Sequence, residues 1–238
     1  MRFQFIVCKA LQREAYLCAA QSKHIVDVVT MPQGLHEQPD KLRQELQEAL
    51  NRTADPAGNP YDASLMGYGL CSNGLAGLHC GITLVIPRAH DCITLLLGSK
   101  EVYKAYFDTH KGVYWYSAGW IEHSLQPGRE RRQRTFSKYV EQYGEDNAGY
   151  LMELEEKWMT EYSNATYIDW ALPLSDQYRK YTRECAEYLN WNFDEVQGNP
   201  GLLMRLVNGE WDDGDFLVVQ PGHNTAPDVN NPGIIKSE

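Results

Sequence analysis

Three cysteines stand where apolar runs give way to polar residues: Cys8 in FQFIVCKAL, Cys71 in YGLCSNGL and Cys92 in IPRAHDCITLLLGS. Soft thiolates select zinc or iron–sulfur clusters among biological metals. Three thiolates could hold a four-iron cluster (4Fe-4S) with one iron left open to substrate. With His90 or His36 as fourth ligand they could instead bind zinc, at about 2.3 Å to sulfur and about 2.0 Å to nitrogen. The plain alternative is that a cysteine is a small buried hydrophobe, which suits Cys18 and Cys185 inside helical patterns. The chain has no C-x-x-C pair. Zinc fingers and thioredoxin-type motifs therefore have no support, and a metal site has to be assembled from separated loops.

PRAHDC, residues 87–92, is the densest chemistry in the chain. Arg88 could clamp a small anionic or carboxylate-bearing substrate with paired donors. His90 could be a ligand or a general acid and base, since an unperturbed imidazole titrates near 6.5. Asp91 could orient a histidine or a metal-bound water. The alternative is an Arg88–Asp91 ion pair with the histidine turned to solvent. Trp120, with Trp115, Trp170, Tyr114 and Tyr116, could wall a flat cofactor or simply pack a core. The glycines around Cys71 could cradle an anion on backbone N–H groups, although they match neither a phosphate-binding nor a dinucleotide-binding pattern.

The elements that must position these residues alternate. FQFIVCKAL, HIVDVVTMP, ASLMGYG, GITLVIP, GVYWYSAGWIE, ATYIDWALP and DFLVVQPGH have the apolar, β-branched or aromatic content of strands. Between them, residues 37–52 place Leu42, Leu46 and Leu50 at four-residue spacing, a helix signal. Helices are also predicted for QREAYLCAAQS, for CITLLLGSKEVYKAYFDTH, for residues 144–162, for residues 175–191 with Ser175 as cap, and for GLLMRLVNG before Gly209. The expected fold is α/β: a largely parallel sheet flanked by helices, with two Rossmann-like lobes as its finer form. One domain over 1–220 is expected, with lobes 1–123 and 139–220 on either side of a polar connector and a loosely ordered tail at 221–238. Ligands of open α/β sheets bind outside the carboxyl ends of the strands. Cys8, His36, Cys71, residues 88–92, Trp120 and His223 all follow predicted strands on that side.

A chain of 238 residues with 43% hydrophobic and 23% charged residues has ordinary globular composition. Its formal net charge of −10 argues against sequence-independent binding of nucleic acid, which needs a surplus of Lys and Arg. The four arginines of GRERRQR, 128–134, fit a solvated connector. No apolar run approaches the roughly 20 residues of a membrane span. The first residues reach charge too early for a secretory signal. A cytoplasmic protein is expected, with its six cysteines as thiols or ligands rather than disulfides.

On YGLC (68–71), IPRAHDCITLLLGS (86–99), YWYSAGWIE (114–122), GLHEQPDKLRQELQ (34–47) and IVCKALQRE (6–14), the sequence resembles the family of proteins of unknown function numbered 1638. Family members usually carry an acidic residue where this chain has Lys9. The resemblance implies a cytoplasmic role in anaerobic one-carbon metabolism, because such proteins are often encoded beside corrinoid-dependent methyltransferases and their corrinoid proteins. It supplies no reaction. Three expectations follow. The first is a metalloprotein with Cys8, Cys71 and Cys92 as ligands. The second is a metal-free enzyme with Cys71 or Cys92 as nucleophile activated by His90. The third is a non-catalytic module that docks on a corrinoid protein or methyltransferase.

Overall fold

RFQFIVC is apolar at five of its seven positions, and Arg2–Cys8 forms β1, buried from Phe3 onward. The computed structural model describes residues 1–228 and 234–238. After β1 come α1 (Gln12–Gln21), β2 (Ile25–Met31), α2 (Pro39–Leu50), β3 (Ala63–Gly67), β4 (Thr83–Pro87) and α3 (Cys92–Leu97). Leu42, Leu46 and Leu50 of α2 are fully buried, as their spacing predicts, and Pro39 starts that helix where its missing N–H costs nothing. The single helical run expected from Cys92 is broken at Gly98, which takes a left-handed φ of 75° against the Asn199 backbone. A second helix, α4 (Lys100–Thr109), follows.

The chain forms two compact units: residues 1–103 with 198–238, and residues 104–197. The second unit holds β5 (Val113–Tyr116), α5 (Ala118–His123), α6 (Arg129–Tyr143), α7 (Glu145–Glu156), β6 (Asn164–Asp169), α8 (Ser175–Leu189) and β7 (Asn192–Gln197). Its three strands lie parallel in the order β5-β6-β7. Tyr116, Ala165 and Tyr167 pack with Tyr178, Cys185 and Ala186 of α8 in its core. Three expectations fail in this unit. Residues 118–123 are helical rather than a continuation of β5, because Ser117 caps them by accepting the Trp120 N–H. The expected polar connector is mostly the helix α6, and β7 was not foreseen. Ser175 opens α8 without capping it; its hydroxyl donates to Asp169 at 2.8 Å.

The chain returns to the first unit through α9 (Gly201–Val207), β8 (Phe216–Val219), β9 (Thr225–Asp228) and β10 (Ile234–Ser237). The first sheet runs β2-β1-β3-β4-β8, parallel except for β8, which lies antiparallel to β4. Its two faces are covered differently, as the alternation of a strand requires. Phe3 meets His24 and Trp211, whereas Gln4 donates to the Ala49 carbonyl of α2 at 3.1 Å. Cys8 shares the parity of Gln4. In place of the loosely ordered tail, β9 and β10 pair antiparallel, while residues 229–233 of that stretch lie outside the described residues.

From β1 the chain steps to β2 on one side and then returns to β3 on the other. The switch point between β1 and β3 puts their carboxyl ends at the usual ligand position of such sheets.

Candidate metal centre

Cys8 ends β1, Cys71 lies four residues beyond β3, and Cys92 opens α3 five residues beyond β4. Since β1, β3 and β4 are parallel neighbours, all three thiols come to the same sheet edge. The loops that carry two of them are zipped together. Leu70 N–H donates to the Ala89 carbonyl at 2.8 Å and Cys71 N–H to the His90 carbonyl at 3.0 Å. That approach explains Gly69. A Cβ there would stand 2.5 Å from Asp91 N and 2.8 Å from its Cα, so the strand-end backbones could not come together with any other residue. The third loop joins through packing of the 9–11 turn against α3.

The Tyr68 hydroxyl marks the meeting point. Tyr68 is 3% exposed, and its hydroxyl lies against the Cys8 thiol. Burial pushes the Tyr68 hydroxyl's pKa up, and the sulfurs of Cys8, Cys71 and Cys92 push it further the same way. Burial pushes the Cys8 thiol up, although the Ala10 N–H, 3.5 Å from its sulfur, and the Tyr68 hydroxyl pull the other way. Cys71 is pushed up to about 12, first by burial, then by Cys8 and Asp91. The Gly69 N–H opposes this. In the metal-free state these two sulfurs therefore hold their protons at neutral pH.

Cys71 is presented on unusual backbone. Cys71, Ser72 and Asn73 have φ of 45°, 55° and 66°, three successive left-handed residues and none of them glycine. Each such L-residue costs roughly 1–2 kcal/mol, so the turn persists only where its surroundings over-determine it. The Gly74 N–H bonds back to the Cys71 carbonyl at 3.0 Å, and Arg43 of α2 donates to the Asn73 carbonyl at 3.3 Å. Leu42 fills the space where Gly74 has no side chain. Of the N–H groups in the glycine-rich stretch, those of Leu70, Cys71, Gly74 and Gly77 are bonded to carbonyls of the protein.

PRAHDC divides its roles differently from the expectation. Arg88 Nε donates to the Asp213 carbonyl at 3.0 Å and its guanidinium also reaches the Ile235 carbonyl, so it straps the β4 loop to the C-terminal segments. That geometry gives Arg88 a structural role beside the expected ones of substrate clamp or partner of Asp91. Asp91 caps α3: one oxygen accepts the Ile93 N–H at 3.0 Å and the Thr94 N–H at 3.3 Å, and the other accepts the Tyr103 hydroxyl at 3.1 Å. Burial raises its carboxyl all the same. Both oxygens have structural partners, and His90 is near enough to act on the carboxyl. His90 is exposed at the rim and His36 half-buried in the turn after β2, at the same sheet edge. Trp120 belongs to the second unit, on α5, and is not among the residues that the first unit's strands bring together. His223 follows β8, whose antiparallel direction carries it to the opposite edge; its neighbour Asn224 bridges His79, ahead of β4. Cys18 and Cys185 are buried helix residues, and Cys80 is turned to the Leu50 carbonyl and the Ser64 hydroxyl.

The family model for the protein of unknown function DUF1638 matches residues 30–207. The chain belongs to that family. No curated protein and no solved structure is significantly similar to it. The DUF1638 match takes in Tyr68, Cys71, His90, Asp91 and Cys92, and begins after Cys8. None of the described helices is long and apolar enough to cross a membrane. Among the described residues no group of three or more His, Cys, Asp or Glu side chains is arranged to hold a single metal ion.

Proposed function

We propose that this DUF1638 protein is a metalloprotein whose Cys8, Cys71 and Cys92 hold an iron–sulfur cluster in the crevice between β1 and β3. The observation that carries the reading is the convergence of three thiols from three adjacent strand ends on one buried hydroxyl. Three soft thiolates brought to one sheet edge are the donor type that zinc and iron–sulfur clusters prefer. Three thiolates leave the fourth iron open, and a cluster of that kind supplies a Lewis acid or a one-electron donor. The first unit then serves as a Rossmann-like lobe that presents the cluster at its switch point. His90 stands at the rim, where it can exchange protons with a bound substrate. The family resemblance supports a place in anaerobic one-carbon metabolism, with a corrinoid protein or methyltransferase as partner.

A metal-free nucleophile fits less well. Activation needs a thiol pKa lowered by a neighbouring cation, and Cys71 is pushed the other way. The test is iron, zinc and sulfide analysis of protein purified without oxygen, with Cys71→Ser beside it. Iron and sulfide in similar amounts, lost in the variant, support the cluster. Zinc in a colourless protein would replace the cluster with a mononuclear site, and no metal in the wild type would overturn the reading.

A further inference from the structure

We infer that the second unit binds a quaternary ammonium ion in a cavity at the amino-terminal edge of its sheet, against the rings of Tyr162 and Trp191. The inference is independent of the cluster reading above, which concerns the first unit alone. The cavity has a volume of about 550 Å³ and lies where the chain enters two strands: Tyr162 and Ser163 precede β6, and Asn190 and Trp191 precede β7. That volume is within the range of small-molecule sites. Tyr162 and Trp191 are half-buried. Their ring centroids are 5.9 Å apart and their planes are tilted by 39°, so they form a corner rather than a flat stack. Met159 and Leu189 add apolar surface.

The surrounding charges decide which ligand fits. The one cation lining the cavity, Arg132, is bound to Glu156 at 2.5 Å. The other oxygen of that carboxylate has no partner among the described residues. The α8 helix, 15 residues long, ends against the cavity at Leu189 and has no basic residue in its last turn. The partial negative charge of its carbonyl end is therefore not offset by its own side chains. Ring faces are negative as well, and neighbouring rings already draw cations. Arg129 lies 5.3 Å from the Tyr188 ring centroid and Arg131 5.6 Å from that of Trp158. Among the described residues no cation lies over Tyr162 or Trp191. An anion would face the carbonyl end of α8 and the free carboxylate oxygen, whereas a cation gains from both and from two open rings. A primary ammonium is strongly hydrated and needs three acceptors. A quaternary one leaves no donor unmet and presents methyl groups to the rings.

The test uses the full chain and two probes of one shape: choline, and its uncharged isostere dimethylbutanol, in which a carbon replaces the charged nitrogen. Ligand-observed NMR titrations follow the methyl signal of each. The expected result is saturable choline binding with a dissociation constant on the order of 1 mM, and the alcohol weaker by about tenfold. Trp191→Leu should weaken choline by about fivefold or more. Equal affinity for the two probes, choline affinity unchanged in Trp191→Leu, or no saturable choline binding overturns the inference. Should Trp191→Leu fold poorly, Glu156→Gln keeps the shape of the wall and removes its free negative charge. Choline must then bind more weakly while the alcohol binds as before, and an unchanged choline affinity overturns the inference. None of these outcomes bears on the iron content of the first unit, so the two readings fail separately.

Discussion

Gly69→Ala tests whether the inter-loop zipper builds the site. The added methyl would stand 2.5 Å from Asp91 N and 2.8 Å from both Asp91 Cα and the His90 carbonyl carbon. These are main-chain atoms, so no rotamer change relieves the contact, and the two loops must separate. Separation weakens the bonds from Leu70 to Ala89 and from Cys71 to His90, 2.8 and 3.0 Å long. Two net hydrogen bonds are worth about 1–3 kcal/mol, and overpacking by a methyl costs a similar amount. One displacement causes both effects, so they do not simply add, and we expect about 2–3 kcal/mol in total. For a chain of this size that lowers the melting midpoint of the first unit by roughly 4–12 °C. Cys71 moves away from Cys92, so iron and sulfide retained after reconstitution should fall more steeply than stability. Gly149→Ala is the control: its Cβ would meet nothing within 4 Å on α7, and helix propensity predicts a slightly higher midpoint. A Gly69→Ala protein with wild-type midpoint and full iron content would refute the reasoning.

Further outcomes follow from the same geometry. With its thiol pushed up to about 12 from 9.0, Cys71 in metal-free protein at pH 8 has roughly a thousandfold smaller thiolate fraction than an ordinary thiol, partly offset by greater nucleophilicity. Iodoacetamide should therefore label it roughly 30–60 times more slowly, as read by peptide mass spectrometry, and fast selective labelling would restore the nucleophile reading. The same shift keeps the Cys71 proton in the folded chain between pH 9 and 12 while the unfolded chain loses it, so metal-free stability is full below about 9 and falls as pH rises towards 12. Urea midpoints across that range check the sign. Arg88→Lys loses the bonds to Asp213 and Ile235 and should cost about 1–3 kcal/mol of stability while the folded fraction keeps its iron, because Arg88 is a strap. Asp91→Ala removes the α3 cap and should cost about 0.5–2 kcal/mol in urea denaturation, with most of the loss recovered by Asn.

The sheet that positions the site was legible because its strands are buried on both faces. RFQFIVC and TLVIP are nearly continuous apolar runs, and the leucines of α2 repeat at helical spacing. The strand-end rule then placed Cys8, Cys71 and Cys92 on one edge without any metal motif. What stayed hidden lacked an apolar period. The α6 helix buries none of its residues, and β7 reads NFDEVQ with no fully buried position, so neither shows a core-facing stripe. Strand direction has no signature in residue types. The antiparallel β8 therefore sent His223 to the wrong edge. Tyr68 was absorbed into the predicted strand ASLMGYG. Its signal was there: an aromatic residue between Gly67 and Gly69 at a strand end has little reason to sit there except to fill the crevice. The left-handed turn gave only a faint signal, since Asn73 alone among its three residues is at ease with positive φ.

The strained turn after β3 raises the question of why the β3–β4 loop is built as it is. Three left-handed residues cost several kcal/mol, on the order of 1–2 each. Several groups from other elements hold this turn in place. Arg43 reaches the Asn73 carbonyl, and Thr225 of β9 brackets the following residues, accepting the Leu78 N–H at 2.9 Å and donating to the Leu75 carbonyl, while its own carbonyl accepts the Gly77 N–H at 2.7 Å. A loop that only had to link β3 to β4 would relax to ordinary turns and give up none of this energy. Here α2, the β4 loop and the C-terminal hairpin all converge to keep Cys71 at one position. Rigid presentation of this kind is what a ligand set needs if binding is not to spend its energy on ordering the chain.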